Sequence, residues 1–63
     1  MDREMRMLHE EIETVIRLHR YGLFNTDGYR ARKKKIEDHV RENNIHVEDL
    51  DPLTLILYRR YFE

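Results

Sequence analysis

The chain has 63 residues, of which 40% are charged and 40% are hydrophobic, and its formal net charge is −1. We expect a single domain over residues 1–63, with a core so small that well-packed helices or a partner must add stability. The absence of cysteine excludes disulfides, cysteine zinc sites and thiol catalysis, and the near balance of charge excludes a general attraction to nucleic acid or membranes.

Residues 2–21 carry the pattern of an amphipathic helix. Apolar residues recur there at steps of three and four over about four turns. Acidic residues lie near the start and arginines near the end, which suits the helix dipole. Gly22 follows as a residue that readily takes the left-handed conformation in which helices often end. The predicted buried stripe consists of Met5, Leu8, Ile12, Val15, Ile16 and His19.

A second helix is predicted over residues 26–43, after a short connection in which Asn25 or Thr26 can act as the cap. Asn43 and Asn44 end this helix, and its apolar stripe is narrower than the first. Because the connection is short, the two helices should form an antiparallel hairpin. The stripe consists of Tyr29, the aliphatic stem of Arg32, Ile36 and Val40, with His39 beside it.

Residues 45–50 alternate between apolar and polar over a stretch too short and too acidic for a strand. The pattern predicts an extended loop that places its apolar side chains on the hairpin. Asp51 is then a natural N-cap and Pro52 a favoured first helical residue. A third helix is predicted over residues 52–62. The apolar side chains of the loop are Ile45, Val47 and Leu50.

The third helix is apolar around most of its circumference, whereas a two-helix hairpin covers only one side of it. One stripe comprises Leu53, Ile56, Leu57 and Tyr61, and the other comprises Leu55, Tyr58 and Phe62. Either the helix is inserted between the first two and both stripes are core, or the second stripe stays exposed as a contact patch for a second copy or another protein. Because Tyr and Phe are favoured interface anchors, we take Leu55, Tyr58 and Phe62 as the predicted partner-binding residues.

The polar residues form no recognisable catalytic or metal site. The chain has no serine or cysteine, the commonest nucleophiles. Neighbouring glutamates on the first helix create no concave site that could shift their pKa values. We therefore expect no enzymatic activity, no bound metal and no cofactor. The histidines, which lack the spacing of metal ligands on a helix, are His9, His19, His39 and His46.

A basic run opens the second helix, and acidic residues follow it directly. Consecutive charges on a helix spread around the cylinder, so the cations do not all face one side. The run therefore has three interpretations: a solvated helix face, a contact for nucleic-acid phosphates, or a docking surface for an acidic protein. Its cations are Arg30, Arg32, Lys33, Lys34 and Lys35.

Residues 12–40 resemble the short helical-hairpin domain found at the C-termini of bacterial proteins and called SHOCT. The residues that carry the resemblance are Leu18, Gly22, Phe24, Asn25, Tyr29, Lys33 and Ile36. Gly28 departs from the pattern, since an acidic helix former is usual there, and residues 44–63 have no counterpart. The resemblance implies a protein- or nucleic-acid-binding accessory element without enzymatic activity, and it assigns no functional residues.

Together these patterns predict an all-α fold, an antiparallel hairpin with a third C-terminal helix in a small three-helix bundle. The longest apolar run lies within residues 53–58 and is too short to span a bilayer, so we expect a cytoplasmic protein. We expect it to bind and modulate a larger protein, as a regulator, inhibitor or adaptor of the phage or antitoxin type, and to form a homo-oligomer or a stoichiometric subunit. The alternative is a nucleic-acid-binding transcriptional regulator that uses the basic run.

Overall fold

The computed structural model describes residues 3–63, which form three α-helices and one short 3-10 turn. Helix α1 spans Arg3–Arg20, α2 spans Asp27–Glu42 and α3 spans Pro52–Phe62, and the turn covers Val47–Asp49. Helices α1 and α2 form the hairpin, and α3 packs against α1. The predicted all-α fold with three helices is confirmed. The first predicted residue of helix 1, Asp2, lies outside the described residues.

Helix α1 supplies most of the core. Leu8, Ile12, Val15 and Ile16 are buried, as the helical spacing predicts, and the two ends of the predicted stripe, Met5 and His19, are half-buried. His9, which lies outside the predicted stripe, is also buried. The central helix of the bundle is therefore α1, and its apolar stripe positions both other helices.

The hairpin turn begins with a glycine cap on α1. Gly22 has a φ of 83°, its N–H donates to the carbonyl of His19 at 3.0 Å, and the N–H of Leu23 donates to the carbonyl of Leu18 at 3.0 Å. This pair of hydrogen bonds is the Schellman motif, which satisfies carbonyls that the helix end would leave free. The predicted role of Gly22 is confirmed.

Of the two candidate caps for α2, the structure uses Thr26. Its hydroxyl accepts a hydrogen bond from the N–H of Tyr29 at 3.2 Å and donates to the carbonyl of Leu23 at 2.8 Å. Tyr29 and Ile36 are buried as predicted. Arg32 is exposed and not buried with them, and it lies at the edge of the contact with α1, where it lines a cleft together with Ile36.

Helix α2 ends as α1 does, but with asparagine in place of glycine. Asn44 has a φ of 52°, its N–H donates to the carbonyl of Arg41 at 3.3 Å, and the N–H of Ile45 donates to the carbonyl of Val40 at 3.0 Å. Asparagine tolerates the left-handed region better than most residues. The chain is thereby turned so that Ile45 packs against the core.

The segment between α2 and α3 is more tightly wound than the predicted extended loop. The N–H groups of Asp49 and Leu50 donate to the carbonyls of His46 and Val47 at 2.9 and 3.0 Å. In a 3-10 turn side chains three residues apart point to the same side. Val47 and Leu50 therefore both reach the core cluster, which an alternating strand-like segment would not allow.

Helix α3 begins at the predicted signal. The carboxylate of Asp51 accepts hydrogen bonds from the N–H groups of Leu53 and Thr54 at 3.2 and 3.3 Å, and from the hydroxyl of Thr54. Pro52 occupies the first turn, where its missing N–H costs nothing. Thr54 and Tyr58 are the buried residues of this helix, so they define the side that faces the hairpin.

Candidate functional site

The predicted contact patch on α3 lies against the hairpin and not in solvent. Tyr58 is only 6% exposed, and Leu55 and Phe62 are half-buried and pack against the core cluster. The rings of Tyr58 and Phe62 stack with centroids 4.7 Å apart and planes 6° apart. Lys33 of α2 holds its ammonium 5.6 Å from the centre of the Phe62 ring. Burial also raises the pKa of the Tyr58 phenol.

Two residues of the other stripe are exposed: Leu53 is 67% exposed and Ile56 is 63% exposed. Leu57 and Tyr61 of the same stripe are half-buried and pack against the core cluster. We call Leu53 and Ile56 the outer face of α3. The hairpin covers the stripe that carries the stacked rings of Tyr58 and Phe62.

The outer face could have been identified from one sequence signal. Leu53 and Ile56 lie at spacing i, i+3, and the next residue of that row, at i+7, is the charged Arg60. The row of Leu55, Tyr58 and Phe62 carries no charge within the helix. Because buried charges are costly unless paired, the uncharged row is the better candidate for the buried side.

A groove of about 260 Å³ lies between α1 and α3, next to the outer face. It is lined by Ile16, Leu57, Glu13, Arg17 and Arg20. Neither Arg17 nor Arg20 has an ion pair within 4.0 Å among residues 3–63. The groove therefore combines the apolar side chains of Ile16 and Leu57 with two unpaired arginines and one carboxylate, Glu13.

Arg60 adds to this positive charge. It is exposed in the last turn of α3 and has no ion pair within the described part of the chain. Arg59, its neighbour, lies 3.8 Å from Glu48. The free cations near the outer face are thus arginines, whose planar guanidinium groups suit carboxylate partners.

The basic run of α2 does not form a single cationic surface. Arg30 pairs with Asp27 at 2.7 Å and donates to the carbonyl of Asn25 at 3.0 Å. Lys34 pairs with Asp38 at 3.0 Å, as its spacing predicts. The hydrogen bond from Lys34 is the main reason why the pKa of Asp38 lies below its ordinary value. The nearby Arg41 lowers the same pKa further.

The other three cations of the run point elsewhere. Lys33 lies over the Phe62 ring on the α3 side. Arg32 and Lys35 line a cleft between α1 and α2 together with Glu10 and Glu11. The side chains of the run therefore point in several directions, and two of the five, Arg30 and Lys34, form ion pairs within the chain.

Two histidines occupy structural positions. His9 is buried against α3, and His19 of α1 sits among the rings of Phe24, Tyr29 and Tyr61. The Nδ1 atom of His19 lies 3.4 Å from the phenol oxygen of Tyr29. Burial is the main reason why the pKa of the Tyr29 phenol is raised. Within residues 3–63 no three histidine or carboxylate side chains are grouped so as to hold a metal ion.

No protein-family model, curated protein or solved structure matches the chain. The resemblance of residues 12–40 to the SHOCT hairpin therefore stays a prediction. No helix between residues 3 and 63 combines the length and the apolar character that a bilayer crossing requires. The candidate site is an apolar outer face on α3 beside a groove lined by two arginines.

Proposed function

We propose that this chain is a small helical interaction module that binds and modulates a larger protein, and that the outer face of α3 is its docking site. The observation that carries the proposal is the pair Leu53 and Ile56, two large aliphatic side chains one helical turn apart and about two-thirds exposed. A helix that presents such a pair beside a groove provides anchors for a partner surface.

The charges around the outer face indicate the chemistry of the partner. Arg17, Arg20 and Arg60 are unpaired within residues 3–63, so a partner gains most if acidic side chains surround its apolar contact. Opposite charges at the rim speed the encounter, while the buried apolar centre determines how long the complex lasts. The larger protein should therefore present an apolar depression bordered by Asp and Glu.

The alternative, a nucleic-acid-binding regulator that uses the basic run, has weaker support. Arg30 and Lys34 are paired with carboxylates and Lys33 lies over the Phe62 ring, so Arg32 and Lys35 are the members of the run without a described partner among residues 3–63. Phosphate contacts need cations that are free to follow one backbone. A salt titration of duplex DNA binding discriminates between the two functions, since only phosphate contact gives a steep salt dependence.

Site-directed photocrosslinking in the native host tests the proposal. A photoreactive residue at position 56 should give a crosslink to one larger protein, and the same residue at exposed Glu42 of α2 serves as the control. The exchange Leu53→Asp should abolish the crosslink from position 56 without changing the helix content. Identical products from positions 56 and 42 would refute a docking role for the outer face.

A second measurement tests the chemistry of the partner. With the crosslinked protein purified, the double variant Arg17→Glu with Arg20→Glu should slow association and reduce its dependence on salt. Arg41→Glu is the matched control, because Arg41 is paired with Asp38 and lies on α2. An unchanged association rate in the double variant would show that the groove rim does not meet acidic groups.

A further inference from the structure

We infer that the chain binds an aliphatic cation, a group such as alkylammonium or alkylguanidinium, in a cleft at the end of the bundle where α1 begins and α2 ends. The cleft has a volume of about 630 Å³. Neither residue of the outer face of α3 lines it, so the inference does not depend on the proposed docking function. The lining residues are Glu4, Met5, Asp49, Asp51 and residues 43–46.

Carboxylates from three different elements line the cleft: Glu4 from α1, Asp49 from the 3-10 turn and Asp51 from the cap of α3. Glu4 and Asp49 are exposed, and neither has an ion pair among residues 3–63. Within the described part of the chain, no lysine or arginine belongs to the lining, and its one histidine, His46, is exposed. The C-terminal end of α2 also meets the cleft at Asn43. Because this end of a helix dipole is negative, it favours a cation as the carboxylates do.

The walls of the cleft also contain hydrocarbon. Met5 and Ile45 are half-buried, pack against the core cluster and line the cleft. A metal ion would make no use of such walls, and no three carboxylate or histidine side chains among residues 3–63 are grouped so as to hold one. An aliphatic cation uses both parts of the lining, because its charged head faces the carboxylates while its methylene chain lies along the apolar side chains. The lining therefore favours an organic cation.

A buried nitrogen behind the cleft wall is independent evidence for a missing hydrogen-bond donor. His9 is only 8% exposed, and its Nε2 atom has no hydrogen-bond partner among the described residues, although buried polar atoms normally have one. This atom is directed at Asp51 in the wall of the cleft, with Oδ2 3.6 Å away. In the tautomer that carries its proton on Nδ1, Nε2 is an acceptor. An ammonium group has three N–H donors, and the two acceptors are close enough for one such group to donate to both.

An NMR titration of the isotope-labelled chain tests the site. Butylammonium chloride, added from about 0.1 to 10 mM, should shift the backbone amide signals of residues 43–46 and Asp49 until the shifts saturate. Butanol, which has the same alkyl chain without the charge, and sodium chloride at the same ionic strength are the controls and should not produce these shifts. Equal shifts with sodium chloride would mean that the carboxylates attract any salt, and the inference would then be wrong.

Two neutral variants test the carboxylates. Asp49→Asn and Glu4→Gln each remove one negative charge from the lining, so each should weaken butylammonium binding about two- to fivefold. Glu42→Gln is the matched control and should leave the affinity unchanged, because it removes the same charge from an exposed residue of α2 that does not line the cleft. Matching circular dichroism spectra confirm that the variants are folded. An equal loss in all three variants would show that binding follows net charge and not the cleft.

A series of amines tests the apolar walls. From ethylammonium to hexylammonium the affinity should rise about two- to fourfold for each added methylene group, because the longer chains cover more of Met5 and Ile45. An affinity that does not change along the series would contradict the assignment of this cleft to an aliphatic cation.

Two larger probes distinguish the sources from which such a cation can come. Spermidine carries alkylammonium groups as a free polyamine, and the peptide Gly-Gly-Lys-Gly-Gly carries one as the side chain of a protein segment. The tighter binder of the two identifies the source, and either result supports the site. If neither binds at concentrations at which butylammonium does, the inference is overturned. The crosslinking test of the outer face is unaffected by this outcome.

Discussion

The Nε2 atom of His9 in α1 lies 3.6 Å from the Oδ2 atom of Asp51, the residue that caps α3. Nε2 is buried and makes no hydrogen bond with the described residues, and the Asp51 carboxylate lies just beyond hydrogen-bond distance from it. Asp51 therefore has two roles: it satisfies the first N–H groups of α3, and it places a negative charge against α1. This one side chain thus links the start of α3 to α1.

The pH dependence of stability should include a contribution from Asp51. The hydrogen bond from the Thr54 hydroxyl, followed by the backbone N–H of Thr54 and the nearby His9, holds the pKa of Asp51 below its ordinary value. A carboxyl whose pKa is lower in the folded state stabilises the fold above its unfolded pKa, and this contribution disappears as the pH falls through the folded pKa. Stability should therefore decrease on acidification below about pH 4.

The variant Asp51→Asn separates this titration from capping, because asparagine is also a good N-cap. Urea unfolding from about pH 5 to about pH 2 should show a gap in the free energy of unfolding between the two proteins that closes as the pH falls. A gap of constant size would mean that the charge of Asp51 has no part in the acid sensitivity.

The two glycines should respond in opposite ways to alanine. Gly22→Ala should lower the free energy of unfolding by about 1 kcal/mol, because the φ of 83° is strained for a residue with a Cβ. Gly28→Ala should raise it by about 0.5–1 kcal/mol, since Gly28 lies in α2 and a Cβ there meets no atom within 4 Å. Thermal melts of the two variants provide the comparison, and equal shifts of the same sign would contradict the helix-cap assignment.

The two sides of α3 should differ in stability measurements. Tyr58→Ala should cost about 3 kcal/mol, because it removes a buried ring that stacks on Phe62. Ile56→Ala should change the free energy of unfolding by less than about 0.5 kcal/mol, since its side chain is mostly exposed. Urea titrations followed by circular dichroism measure both. Comparable losses would show that the outer face is buried in solution.

The contact between Lys33 and Phe62 should be measurable as a coupling energy. In a double-mutant cycle with Lys33→Gln and Phe62→Leu, we expect a coupling of about 0.5 kcal/mol from the cation and the ring face. Lys35→Gln combined with Phe62→Leu is the matched control and should show none. A coupling of equal size in both cycles would attribute the effect to general charge and not to this contact.

Most of the fold was predictable because its boundaries are set locally. Gly22, Asn44, Asp51 and Pro52 each determine a helix end through their own backbone preferences, and the structure places the ends within one residue of the predicted positions. The 3-10 turn at Val47–Asp49 was not predicted, because a short alternation of apolar and polar residues is compatible with both an extended and a tightly wound backbone.

The candidate site was less predictable because it depends on packing between distant parts of the chain. Both stripes of α3 are apolar, and the choice between them follows from how Tyr58 and Phe62 fit against the hairpin. The directions of the basic side chains of α2 also depend on α3, because Lys33 lies over the Phe62 ring of that helix. Periodicity finds both apolar stripes and Arg60 marks one of them as the less buried, but how far each side chain is covered depends on the assembled bundle.

The two matching helix caps have a consequence for the folding rate. At each cap the chain turns next to a hydrogen bond between residues five apart in sequence. These bonds join Leu23 to Leu18 and Ile45 to Val40. Turns closed over such short separations cost little loop-closure entropy. Helical bundles with mostly local contacts fold in microseconds to milliseconds. We expect both corners to form early, so that the docking of α3 is the last event on the folding pathway.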